Sequence, residues 1–148
     1  MLKVLIAEDE LLIADQIEET LVANGYEVCG IARTADEGVV LGELHKPDLA
    51  LLDLRLAKGS LGTDIARRLN GAANLGVLYA TGNDPKNTPL TITDGDALIA
   101  KPFRDEDLLR ALAIVWEIKR DGRATPPYPR GFHLLPRAPA RHDRGAST

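Results

Sequence analysis

The sequence predicts an α/β sandwich: a doubly wound, five-stranded parallel sheet between two layers of helices. Three observations carry this. Short runs rich in Val, Ile and Leu alternate with segments of helical period along residues 1–120. Several of these runs are apolar at successive positions, as in strands buried on both faces. The 148 residues, 45% of them hydrophobic, suffice for one core without disulfide or metal support.

The elements follow in order. Leu2–Ala7 is a continuous apolar run and reads as the first strand. Across Glu10–Asn24, residues Leu11, Ile13, Ile17 and Leu21 fall near helical spacing, and Gly25 supplies the stop. Tyr26–Ala32 is the second strand. Thr34 and Glu37 form a capping box that opens a helix running to about His45, and Pro47 ends it. Asp48–Asp53 is the third strand. A loop holding Gly59 and Gly62 leads to a helix over Thr63–Asn70, and Leu75–Thr81 is the fourth strand. Residues 82–96 carry Pro85, Pro89, Gly82 and Gly95 and leave room for only a short helix. Ala97–Ala100 is the fifth strand. Arg104–Arg120 is a last amphipathic helix, acidic at its start and basic at its end, in keeping with its dipole. Residues 121–148 hold five of the nine prolines and five Arg against two Asp. They show no helical or strand period and are expected to form a flexible tail on a domain of about 120 residues.

Composition excludes several classes. The formal net charge of −4 disfavours a general nucleic-acid binder. The one cysteine, Cys29, cannot form an intrachain disulfide or a zinc cluster, and is expected to be buried and inert in the second strand. His45, His133 and His142 lack ligand spacing and are expected on the surface. No apolar run is long enough for a membrane span, and the N-terminal run stops at Glu8-Asp9-Glu10, unlike a signal peptide. The expectation is a cytoplasmic protein with no membrane or direct nucleic-acid partner. Ser60 and Ser147 sit in no nucleophile-elbow motif, and no phosphate-binding loop of the Gly-rich Lys type occurs.

In a parallel sheet with right-handed crossovers, the C-terminal strand ends share one edge, where sites form. Strand one ends in Glu8-Asp9, strand three in Asp53, strand four in Thr81 and strand five in Lys101-Pro102. Three converging carboxylates repel unless a cation lies among them, and hard oxygen ligands suit Mg²⁺. Metal, ammonium and hydroxyl together suit the oxygens of a phosphoryl group. Each residue has a blander reading: Glu8 and Asp9 as helix-start acids, Asp53 as a turn cap, Thr81 as a strand residue, Lys101 as a solvated cation. Their joint placement on four strand ends favours a site.

This set, in this order, resembles the response-regulator receiver domain of two-component signalling, over residues 1–120. The resemblance implies the flavodoxin-like (CheY-like) fold. It implies that Asp53 is the phosphoacceptor for a sensor histidine kinase or phosphotransfer protein, with Thr81 and Lys101 assisting. It implies Mg²⁺ held by Asp9, Asp53 and the backbone carbonyl of Arg55, with Glu8 acting through water, and a cis peptide before Pro102. Tyr79-Ala80-Thr81-Gly82 is further similar to the motif of the "FAT GUY" single-domain receivers, with Tyr79 for its phenylalanine and Asn83 for its tyrosine. The expected function is a stand-alone receiver, not an enzyme, that signals through phosphorylation-dependent binding to a downstream protein or through a phosphorelay. One alternative is a haloacid-dehalogenase-like phosphatase, which needs a second Asp where Arg55 stands. Another is a phosphorylation-independent interaction module, which would have no reason to cluster carboxylates.

Overall fold

The computed structural model describes residues 1–69, 74–82 and 87–137. Its strands are β1 (Lys3–Ala7), β2 (Glu27–Ala32), β3 (Leu49–Asp53), β4 (Gly76–Thr81), β5 (Ala97–Ala100) and β6 (Phe132–Leu134). Its helices are α1 (Leu11–Ala23), α2 (Ala35–His45), α3 (Gly62–Leu69) and α4 (Asp105–Asp121). The sheet order is β2-β1-β3-β4-β5-β6, parallel from β2 to β5 and antiparallel at β6. The five expected strands and the doubly wound α/β plan are present, with boundaries within one or two residues.

The central strands are apolar throughout because both faces are covered. On one face Val4, Ile6, Leu49, Leu51, Leu78 and Ile99 pack against Ile17 and Leu21 of α1 and Leu108, Leu112 and Val115 of α4. On the other, Leu5, Ala50, Leu52, Val77 and Tyr79 pack against Val39 of α2 and Ile65 and Leu69 of α3. The strand period of two assigns alternate residues to the two layers. The capping box forms at α2: Glu37 N–H donates to Thr34 Oγ1 at 3.2 Å, while Glu37 Oε1 accepts from the Arg33 amide at 2.7 Å. The returning arm thus serves the residue before the cap.

Three expectations change. The tail is not a free appendage over 121–137; residues 138–148, with His142 and Ser147, lie outside the described residues. Gly122 ends α4 at φ 79, a left-handed cap that favours glycine. The chain then returns along β5, pairing Leu134, His133 and Phe132 with Ala97, Leu98 and Ile99. Phe132 enters the α1/α4 layer and Leu135 the α2/α3 layer, both almost fully buried. Burial of two large apolar groups offsets the entropy of ordering this segment, which its prolines already reduce.

The second change concerns Cys29. It is half-buried on an outer strand, at a register shift that sets Val4 against Val28 and Leu5 against Gly30. Partial burial raises its thiol pKa, which disfavours the thiolate, and the expected full burial does not hold. Third, the helix that opens at Gly62 ends the described segment at Leu69; of the region expected to hold a short helix, Asn87 is in a 3-10 turn and residues 92–94 form a turn, while Asn70 and Asn83–Lys86 lie outside the described residues. His45 is half-buried and His133 exposed.

Truncation after Arg120 removes β6, Phe132 and Leu135, whose burial contributes about 1.5–3 kcal/mol for each large side chain before the ordering cost. The melting temperature should fall by several degrees, followed by circular dichroism; an unchanged value would show that the segment does not pack. A Cβ on Gly62 would collide with the Asp53 backbone carbonyl. Gly62→Ala should therefore destabilise by about 1–3 kcal/mol in chemical denaturation.

Candidate phosphoacceptor site

The topology reverses between β1 and β3, and in open α/β sheets the crevice at such a reversal holds the site. Glu8 and Asp9 follow β1 there, and Asp53 closes β3. One oxygen from each of these carboxylates lies within 4.8 Å of the others. Thr81 ends β4 almost fully buried, and its carbonyl accepts from the Lys101 amide at 2.8 Å. Lys101 follows β5, and the Lys101-Pro102 peptide is cis, as the resemblance implied.

The Lys101 ammonium joins the set. Nζ lies 2.9 Å from Asp53 Oδ2 and 3.0 Å from Glu8 Oε1. Burial works against the ammonium charge, but hydrogen bonds and charge from Asp53 and Glu8 outweigh it and raise its pKa. Glu8 is 2% exposed. Its desolvation raises its pKa despite the bonds from Lys101 and from the Glu10 amide. Asp53 is more open, with 13% of its side chain accessible against 3% for Glu8. Asp53 is thus the more accessible of the two carboxylates, with Glu8 buried behind it.

The blander readings fare unevenly. α1 begins after Glu10, whose side chain makes no capping bond, and its first turn holds no acid. Asp9 therefore gains no helix-start role from position alone. Asp53 Oδ1 does accept from the Arg55 amide, at a long 3.4 Å, so it supports its own turn as well. Arg55 is exposed, and it bridges to Leu61 across the loop after β3.

Two supports of this loop were not evident beforehand. Ser60 Oγ accepts from the Ala35 amide at 3.0 Å and donates to the Ala57 carbonyl at 2.9 Å, tying the loop to the start of α2. Gly62 lies against the Asp53 backbone, and its N–H donates to the Leu54 carbonyl at 3.0 Å. Gly62 could have been suspected from a glycine opening a helix, but Ser60 carried no signal beyond a turn residue. Behind the site, Tyr79 is fully buried and its hydroxyl donates to the Asp94 carbonyl at 2.6 Å. No described helix is long and apolar enough to cross a membrane.

Comparison with known proteins agrees with this geometry. Residues 4–113 match the family described as the response regulator receiver domain. The transcriptional regulatory protein PdtaR of Mycobacterium tuberculosis is 34% identical over 114 residues, 76% of this chain and 55% of that protein. The chain spans about half the length of the curated relatives it matches. A CheY-like receiver domain from Methanospirillum hungatei superposes with a TM-score of 0.73 at 28% identity, covering 82% of this chain and 98% of that one. The anti-anti-sigma factor PhyR of Bartonella quintana gives 0.61 at 31% identity, covering 80% and 47%. Strand order, convergent strand-end residues and matched sequence agree: the chain belongs to the response regulator receiver domain family.

Proposed function

We propose that the chain accepts a phosphoryl group on Asp53 from the phosphohistidine of a sensor histidine kinase or phosphotransfer protein, in a Mg²⁺-dependent reaction. The observation that carries this reading is the Lys101 ammonium bonded at once to Asp53 and Glu8, beside a third carboxylate. One ammonium leaves a clustered set of three carboxylates with excess negative charge, and hard oxygen donors at this spacing suit a small divalent cation. Asp9, Asp53 and the Arg55 carbonyl would hold it, with Glu8 acting through water. When bound, Mg²⁺ neutralises charge on the transferring oxygens.

The chain's own residues do the rest. An Asp53 carboxylate oxygen forms the bond to phosphorus as the phosphorus–nitrogen bond of phosphohistidine breaks. The electron pair stays on the imidazole. Lys101 holds the Asp53 carboxylate in place and offers its charge to the incoming oxygens. Thr81, from the intervening strand end, presents a hydroxyl to the same group. The product is a modified side chain, so the chain is a switch and not a turnover enzyme. Arg55 replaces the second Asp a dehalogenase-like phosphatase would need, and it is exposed rather than aimed as an acid.

Output is through binding a downstream protein in the phosphorylated state, or through passing the phosphoryl group on. The likeness to a protein described as an anti-anti-sigma factor supports a protein partner. The acidic net charge argues against direct nucleic-acid binding, and the reading places the chain in the cytoplasm.

With Mg²⁺ and a small acyl-phosphate donor, intact mass should rise by one phosphoryl group, and Asp53→Asn should abolish the rise. Undiminished labelling of the variant would refute Asp53 as the acceptor. Asp9→Ala removes a charged ligand, a loss of about 1.5–3 kcal/mol. Mg²⁺ affinity, read by titration, should drop roughly ten- to a hundred-fold, and an unchanged titration would remove Asp9 from the metal site.

A further inference from the structure

The C-terminal strand raises a question that phosphoryl chemistry does not answer: why an edge strand of the sheet is supplied from so far along the chain. Beyond its antiparallel ladder with β5, three further main-chain bonds hold it. Ala100 N–H donates to the Gly131 carbonyl at 2.9 Å, Leu135 N–H to the Asp96 carbonyl at 3.1 Å, and Ile92 N–H to the Pro136 carbonyl at 2.8 Å. The segment thus grips β5 and also the turn at residues 92–94 that leads into it. Two side chains plug it in, Phe132 on one face of the sheet and Leu135 on the other.

The strand is nevertheless short. It covers three residues, bracketed by Pro129 and Pro136, and His133 and Leu134 are exposed. Its base is anchored separately. Arg110 donates to the Thr125 carbonyl at 2.8 Å and to the Pro127 carbonyl at 3.3 Å, and Glu117 accepts from both the Thr125 amide and hydroxyl. The contacts that fix the chain to α4 at Thr125 are thus separate from those that dock residues 131–136 on the sheet. Leaving would expose a four-residue edge of β5 with its N–H and C=O groups unpaired, and such an edge is a template for another strand.

We propose that Gly131–Pro136 is a built-in cover over a strand-binding surface, and that the surface takes an extended segment of a partner protein by strand addition. The cover shows the chemistry of its replacement. The partner segment runs antiparallel to β5 and offers a large apolar side chain where Phe132 sits and a second where Leu135 sits, while the two positions between them, His133 and Leu134 in the cover, face solvent and place no demand on its side chains. Ala100 immediately precedes Lys101, so the occupant of this edge bonds the residue next to the site lysine. The inference does not depend on phosphoryl transfer, and its failure would leave the Asp53 reading untouched.

Hydrogen exchange on the full-length, unmutated chain tests it. Without additions, the Leu135 amide should exchange at least about ten-fold faster than amides of β1 and β3, through a local opening insensitive to low denaturant. Exchange of Leu135 only through global unfolding would overturn the proposal. The probe is a peptide of residues 130–137, Arg-Gly-Phe-His-Leu-Leu-Pro-Arg, supplied about ten-fold above the roughly millimolar effective concentration of the tethered strand. Strand addition should strip the Leu135 amide of its protection while Ala100 and Ile92, on the receiving side, keep theirs. The same peptide with alanine at the positions of Phe132 and Leu135 should have no effect. Loss of protection at all three amides would mean fraying without addition, and formation of a dimer that exchanges its own strands would mean a different occupant; either result overturns the proposal.

Discussion

One ammonium between two carboxylates organises this molecule. Lys101 lies 48 residues from Asp53 and 93 from Glu8 in sequence, and its two bonds to them tie the ends of three strands. β5 and β3 are separated by β4, so their ends stand about 9–10 Å apart at the usual strand spacing. Only a long side chain crosses that gap, and it passes the end of β4, where Thr81 is buried. The same bridge makes the buried Glu8 tolerable, since a desolvated carboxylate without a partner would be strongly unfavourable. Asp53 is left as the more accessible carboxylate of the bonded pair.

The rest of the architecture keeps that bridge in register. Alternate residues of β3 and β4 lock into two different helical layers, so a one-residue slip would move every one of them to the wrong face. The loop after Asp53 is held from two sides, by Ser60 against α2 and by Gly62 against the strand end itself. Asp96, just before β5, accepts from the Val77 amide at 2.8 Å and pairs with Lys119 of α4 at 3.0 Å, which positions the strand that presents Lys101.

Much of this was readable from residues. The unbroken apolar run of β1, the Thr34 cap and the Lys-Pro pair each express a local physical rule, and the convergence at the sheet edge follows from parallel topology. Less was readable where tertiary context decides. Cys29 looks buried by its neighbours, but β2 is an outer strand with a bulge at that point, so the thiol is half-covered. Glu8 and Asp9 are adjacent acids, and nothing local distinguishes the almost fully buried one from the half-buried one. β6 is three residues among prolines and arginines, too short to show a period of two. Its one signal was the apolar cluster Phe132, Leu134 and Leu135 between Pro129 and Pro136, set within a composition that otherwise speaks for a free tail.

The chain between α4 and β6 is only the ten residues 122–131, and Thr125 is pinned to α4 within it. A strand on so short a leash samples its own docking edge at an effective concentration of about millimolar or higher. A free segment of equal intrinsic fit, present at micromolar levels, is therefore outcompeted by roughly a thousand-fold through mass action alone. The tether acts as a threshold filter: casual apolar peptides are rejected without any clash or charge being built against them, and access goes to a segment that fits better than the chain's own or is itself held nearby by a second contact. Lengthening or shortening residues 122–131 would move that threshold while leaving every contact at the edge unchanged.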